Sequence, residues 1–187
     1  MKNVLVSIAM LVLPVFSFAQ SNENADTMPD ISNYYMNDIT EKSYDPSLLD
    51  SIVNTRIALI PPEHFIYAKD IPGYIHPGTT ASIQVKDVKG TSWPVIDKVM
   101  TKEHLESQGV TFVDREEVEL FSGLSGVMYT VSFEAKGVKF ERKMLFAGDY
   151  NYTIWLNANY PASMKKTVLK PIMSSLLSAG IINKPQP

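Results

Sequence analysis

Apolar and polar residues change their rhythm along this chain. Residues 4–16 are apolar apart from Ser7 and Pro14. Residues 20–46 are polar, with Asn, Asp, Ser and Pro scattered through them. Beyond that point the pattern switches between the two-residue period of strands and the 3.6-residue period of helices. Residues 48–53 read as a short helix after Ser47, and 56–60 as a strand stopped by Pro61-Pro62. A second short strand is expected at 65–68, followed by turns at Ile71-Pro72-Gly73 and His76-Pro77-Gly78. Ala81, Ile83 and Val85 alternate with polar residues, so that strand buries one face. Residues 94–108 read as helical and are closed by Gly109. Val95, Ile96, Val99 and Met100 share a face there, but Leu105 falls off it. A break near Thr101 is therefore expected, with Thr101 capping a second short helix.

The second half reads as a meander. A strand over 110–121, with room for a bulge, precedes a turn bracketed by Gly123 and Gly126. Val127, Tyr129, Val131 and Phe133 alternate with Met128, Thr130, Ser132 and Glu134, and Lys136-Gly137 supplies a two-residue hairpin loop. Pairing across it sets Phe133 by Phe140, Val131 by Arg142, Tyr129 by Met144 and Val127 by Phe146, with Glu134 opposite Lys139 and Thr130 opposite Lys143. If the sheet has one dry and one wet face, the next turn must place Phe146 opposite Tyr152, Met144 opposite Ile154 and Phe140 opposite Ala158. That register needs a three-residue loop at Gly148-Asp149-Tyr150, or a bulge. With Leu120 opposite Val127, one row across the sheet becomes Glu116, Val131, Arg142, Leu156. Glu116 and Arg142 then sit two strands apart, about 9.5 Å at the backbone, and can meet over Val131. A buried guanidinium needs a partner. The pair satisfies itself, or Arg142 snorkels to the sheet's end, or the pair lines an opening that anchors an acidic ligand group, and Arg142 and Glu116 are the candidate ligand-binding residues.

Pro161 is expected to start a final helix, in which Met164, Val168, Ile172 and Leu176 recur every four residues beside Leu169 and Met173. Its phase survives Pro171, which should kink it, and Gly180 should close it. The predicted fold class is α+β: an antiparallel meander packed with a central helix and a C-terminal helix.

This order of elements resembles the Mog/PsbP-like fold family. "IPPEHFIYAKDIPGYIHPGTTASIQV" looks like the family's opening. "LESQGV", "LFSGLSGVMYTV" and "NANYPASMKKTVLKPIMSSLLS" look like its helix end, central hairpin and closing helix. The resemblance covers about residues 56–182 and rests on structural motifs, with no catalytic signature to transfer. It implies an accessory role, and the bacterial envelope members are the relevant analogy. A fold alone does not give a function.

The apolar run at the start changes the expected compartment. Lys2, the run itself and Ser17-Phe18-Ala19 before Gln20 make a secretory signal peptide, with an uncleaved anchor as the alternative. The expected organisation is a signal peptide at 1–19, a polar linker or arm at 20–46, and one domain at 47–187. Tyr34-Tyr35-Met36 either docks on the domain or stays solvated. The 187 residues contain no cysteine, which excludes a disulfide scaffold, thiolate chemistry and a lipobox. An exported, cysteine-free chain suits a bacterial periplasm or exterior. With 17 basic and 20 acidic side chains, the chain is too acidic for a dedicated nucleic-acid binder, and no segment after the signal is apolar enough to span a bilayer.

Candidate chemistry is sparse. Gly123-Leu124-Ser125-Gly126 is one residue short of a nucleophile elbow and joins two strands rather than a strand and a helix. Glu103, His104 and Glu106 lack the spacing of a helical metal site. His64 and His76 lie in turns with no local carboxylate or nucleophile. No phosphate loop is present, and neither a cofactor nor a metal is expected. The expected function is an exported non-enzymatic accessory protein binding another envelope or secreted protein. The alternative is a carrier of a small apolar or acidic ligand between sheet and helix, and an enzyme using dispersed residues ranks third.

Overall fold

The computed structural model of the protein describes residues 44–68 and 70–182. The signal segment, Tyr34-Tyr35-Met36 and nearly all of the arm lie outside them. Seven strands form an antiparallel sheet in the order β3 (Ile66–Tyr67), β4 (Gly73–Ile75), β5 (Ser82–Lys89), β9 (Tyr152–Pro161), β8 (Val138–Gly148), β7 (Ser125–Ala135), β6 (Thr111–Glu119). A second sheet joins β1 (Asp50–Ser51), β2 (Ile57–Leu59) and β10 (Gly180–Ile181). Helices α1 (Trp93–Val99) and α2 (Lys102–Ser107) follow β5, and α3 (Lys165–Leu177) follows β9. The fold is α+β, as the alternation of periods predicted.

The β7–β8 hairpin has the expected register, with Val131 opposite Arg142 and Phe133 opposite Phe140. Its loop residues Lys136 and Gly137 have φ of 51° and 75°, as such a turn requires. The helix break is also as expected: the Thr101 side chain accepts a hydrogen bond from the His104 N–H, capping α2.

The expectation of one dry and one wet face is overturned. Phe146 faces Trp155, Met144 faces Asn157 and Arg142 faces Asn159, so the β8–β9 pairing has slid away from the expected partners and every β9 side chain changes sides. Both faces carry apolar rows because both are covered. On the first face, Val127, Tyr129, Val131, Met144 and Phe146 pack against Ile96, Met100 and Leu105 of the α1–α2 layer. On the second, Met128, Leu145, Ile154, Leu156 and Ala158 pack against Val168, Leu169, Ile172 and Leu176 of α3 and against Ile52, Ile57 and Leu59 of the small sheet. An argument that assigned all apolar residues to a single face had to choose the wrong register. The observed loop is Asp149–Asn151, where the Asp149 carboxylate accepts from the N–H groups of Asn151 and Tyr152.

Other departures are local. Residues 46–48 form a 3-10 turn leading into β1 rather than a helix over 48–53. Val95 and Val99 of α1 point outward while Ile96 and Met100 are buried. Pro161 remains in β9, and α3 starts at Lys165 after a 3-10 turn at Ala162–Met164. Gly180 does not close α3; it pairs with Ala58 in the small sheet. Met164, expected on the apolar stripe of α3, is exposed.

Candidate functional site

The α1–α2 layer covers only part of the first face. It sits on β6, β7 and β8. Cross-strand registers run one row as Ile66, Ile75, Ser82, Asn159, Arg142, Val131, Phe112, and the next as Gly73, Gln84, Asn157, Met144, Tyr129, Arg115. Each row passes from a polar or exposed half over β3, β4, β5 and β9 to a half under the helices. Ile66 and Ile75 are exposed, and Ser82, Gln84, Lys86, Asn159 and Arg142 are partly so. Gly73 keeps the floor flat there: its φ is 146°, and a Cβ would collide with the Ile83 carbonyl oxygen.

Arg142 stands on the border between the two halves. Its Nε donates to Asn159 Oδ1 at 2.6 Å, and its guanidinium lies 4.9 Å from the Phe133 ring centroid. Burial pulls its pKa below the ordinary arginine value. Among the described residues no carboxylate lies within ion-pair distance of it. Lys86 likewise has no carboxylate within ion-pair distance among the described residues and rests over the Trp155 ring at 5.2 Å. Between the two cations along β9 lie two buried polar atoms without partners, Trp155 Nε1 and Asn157 Oδ1.

Glu116 is not part of this group, which corrects the expected Glu116–Arg142 pair. Glu116 pairs with Met128, not with Val131, because β6 bulges between Phe112 and Asp114 and because Leu120 closes a tight turn with Leu124 rather than extending the ladder to Val127. That puts Glu116 on the second face, where it meets Lys143 at 3.9 Å. The sequence reasoning found Arg142 and missed Asn157, Trp155 and Lys86. The available signal was the odd row Trp155, Asn157, Asn159 within β9, set against the apolar even row Ile154, Leu156, Ala158.

Polar groups elsewhere satisfy one another. Under α1, Arg115 donates to both Asp97 oxygens, at 2.9 and 2.7 Å, and Tyr129 donates to the same carboxylate. The Arg115 hydrogen bonds hold the Asp97 pKa below the ordinary carboxylate value, and burial followed by the Asp97 contact raises that of Tyr129. On the second face, Glu141 accepts from Tyr160 and pairs with Lys165 at 3.1 Å. Burial raises the Tyr152 hydroxyl to about 12, and it donates to Asp87. His64 meets the neighbouring Glu63 at the surface, and His76 packs its ring on Phe65. A groove of about 200 Å³ beside the small sheet is lined by Tyr44, Leu49, Ser122, Leu124 and Ile181 among others. Among the described residues no cluster of three His, Cys, Asp or Glu could hold a metal, and no helix is long and apolar enough to cross a membrane.

No protein-family model matches the sequence, and no curated protein does. Solved structures resemble it, and one reaches the level of a shared fold. LpqN, involved in cell envelope biogenesis of Mycobacterium tuberculosis, superposes with a TM-score of 0.50 at 16% identity over 72% of this chain and 83% of that one. Cyanobacterial PsbP (CyanoP) from Synechocystis gives 0.49 at 12% identity, over 74% of this chain and 95% of its own. A protein from Bacteroides thetaiotaomicron gives 0.48 at 11% identity over 70% of this chain, which spans only 47% of that protein's length.

Proposed function

We propose that this chain is an exported, non-enzymatic accessory protein that binds another envelope or secreted protein through the open half of its large sheet. The observation that carries the reading is the pair Arg142 and Lys86. Lys86 is set on the uncovered half of a face and Arg142 on its border, both rest on aromatic rings, and neither has a carboxylate among the described residues. The signal-like start of the sequence and a fold shared with an envelope-biogenesis protein support the compartment. The carrier reading gains nothing from the groove at the small sheet, because about 200 Å³ falls below the ~300 Å³ at which ligand clefts begin. An enzyme gains nothing from His64 or His76, neither of which faces a buried carboxylate.

A photo-crosslinking amino acid at position 84, in cells that export the protein, tests the reading. A discrete adduct with one envelope protein is expected from position 84. It should be absent from position 150, whose Tyr150 is an exposed loop residue, and lost when Arg142→Met is added. Equal labelling from both positions, or no adduct from either, overturns it.

A further inference from the structure

The spacing of the unpaired groups says what the open half-face would recognise. Trp155, Asn157 and Asn159 project from one face of β9. Lys86 leans over the first and Arg142 is tied to the third. Four residues of strand separate the two anchoring points, about 13 Å at ~3.3 Å per residue. Through its Nε bond and the Phe133 ring, Arg142 is fixed with the rest of its guanidinium fork uncommitted, the arrangement that takes a carboxylate with two parallel hydrogen bonds. Midway lies Asn157, 8% exposed, whose Oδ1 has no donor. A buried acceptor without a donor is unfavourable, and Asn157 Oδ1 is shut off from solvent, so a backbone N–H laid across β9 supplies the missing donor only once that side chain turns outward.

Resting on the docking reading above, we propose that the partner presents an extended acidic segment, with two carboxylates four residues apart, one for Arg142 and one for Lys86. Residues four apart in an extended chain point the same way and lie about 13 Å from each other, whereas the same pair on a helix is only ~6 Å apart. A phosphate or sulfate would need the two cations to converge on one point, and here they stand at opposite ends of a polar strip. No carboxylate occurs among the open-half residues of the two rows or at the Lys86–Trp155 pair beside them.

The probe is a nine-residue peptide of Ser and Thr with Glu at its third and seventh positions, titrated into the full exported chain. The readout is the pair of indole N–H signals in a nitrogen–proton correlation spectrum. The Trp155 signal should move while that of Trp93, the first residue of α1, stays. A peptide with the same two Glu side by side should bind several-fold more weakly, and one with Lys at both positions should not bind. Lys86→Met and Arg142→Met should each weaken binding about three- to fivefold, the range of a partly exposed pair. Arg142→Lys, which keeps the charge and the fold but loses the fork, should give an intermediate loss. Equal binding of both Glu spacings, a moving Trp93 signal, or binding indifferent to Arg142→Lys and Lys86→Met overturns the inference. If no peptide binds but the adduct from position 84 forms and depends on Arg142, the acidic segment is wrong and the docking surface stands. If neither is seen, both fall.

Discussion

The two halves of the first sheet face make the most instructive comparison. Under α1 and α2, Tyr129, Asp97 and Arg115 close a network in which each polar head has a partner. A few strands away, among the described residues, Arg142 and Lys86 have no carboxylate, and Trp155 Nε1 and Asn157 Oδ1 have no hydrogen-bond partner. The strands are continuous and the backbone ladder is the same, so the difference comes from what covers each half. A helix layer removes water and so forces its polar groups to pair. In the open half the Lys86 and Arg142 side chains stay partly exposed and in reserve for another molecule, whereas Trp155 Nε1 and Asn157 Oδ1 are shut off from water.

Breaking the covered half should have the largest effect. Leu105 is fully buried, and Leu105→Ala is expected to cost about 3 kcal/mol, seen as a fall in urea midpoint with an unchanged slope. Asp97→Asn should come next, at about 1–2 kcal/mol near neutral pH for a pair at the layer's edge. Its pH dependence has a definite sign. A carboxylate whose folded pKa is depressed stabilises the fold above its unfolded value, 3.8, and that stability is lost as pH falls through the folded value. The melting temperatures of the parent and Asp97→Asn should therefore differ at pH 6 and draw together as the pH falls below 3.8. In the open half the sign reverses. Asn157→Leu removes an acceptor that has no donor and should leave the protein as stable or up to about 1 kcal/mol more so, while weakening the crosslink from position 84. A loss of stability there would mean that Asn157 already has its partner. Val99→Ser, on the outward side of α1, should change stability by no more than ~0.5 kcal/mol and serves as the control for the covered half.

How much of this was legible beforehand follows the same divide. The β7–β8 hairpin could be read residue by residue, because Lys136-Gly137 fixes the turn and a two-residue loop fixes the register. The cap at Thr101 was legible from a phase break around Leu105. The β8–β9 register was not. Its loop has no unique turn chemistry, and the only remaining guide was burial, which was misread by allowing the sheet a single dry face. The error then propagated: a slid register moved Asn157 and Asn159 to the Arg142 side unnoticed and left Glu116 as the apparent partner. Arg142 itself was found because a cation within an alternating apolar row conflicts with its surroundings whichever way the neighbouring strand pairs. Lys86 was invisible for the opposite reason, since a lysine on the polar side of a strand looks ordinary until the neighbouring Trp155 is known.

The groove beside the small sheet has a consequence for how the molecule can be held. Tyr44 and Ile182 both line it, so the chain enters and leaves the described domain at one place, on the side of the α3 core rather than the Arg142 side. A tether introduced at Tyr44 or Ile182, the first and last described residues, pulls from the back of the domain and leaves the open half-sheet facing away from the attachment. The nearness of the two ends also makes the domain a good subject for circular permutation: a short linker can join them, and new ends can be opened at Tyr150 without crossing the Arg142 strip.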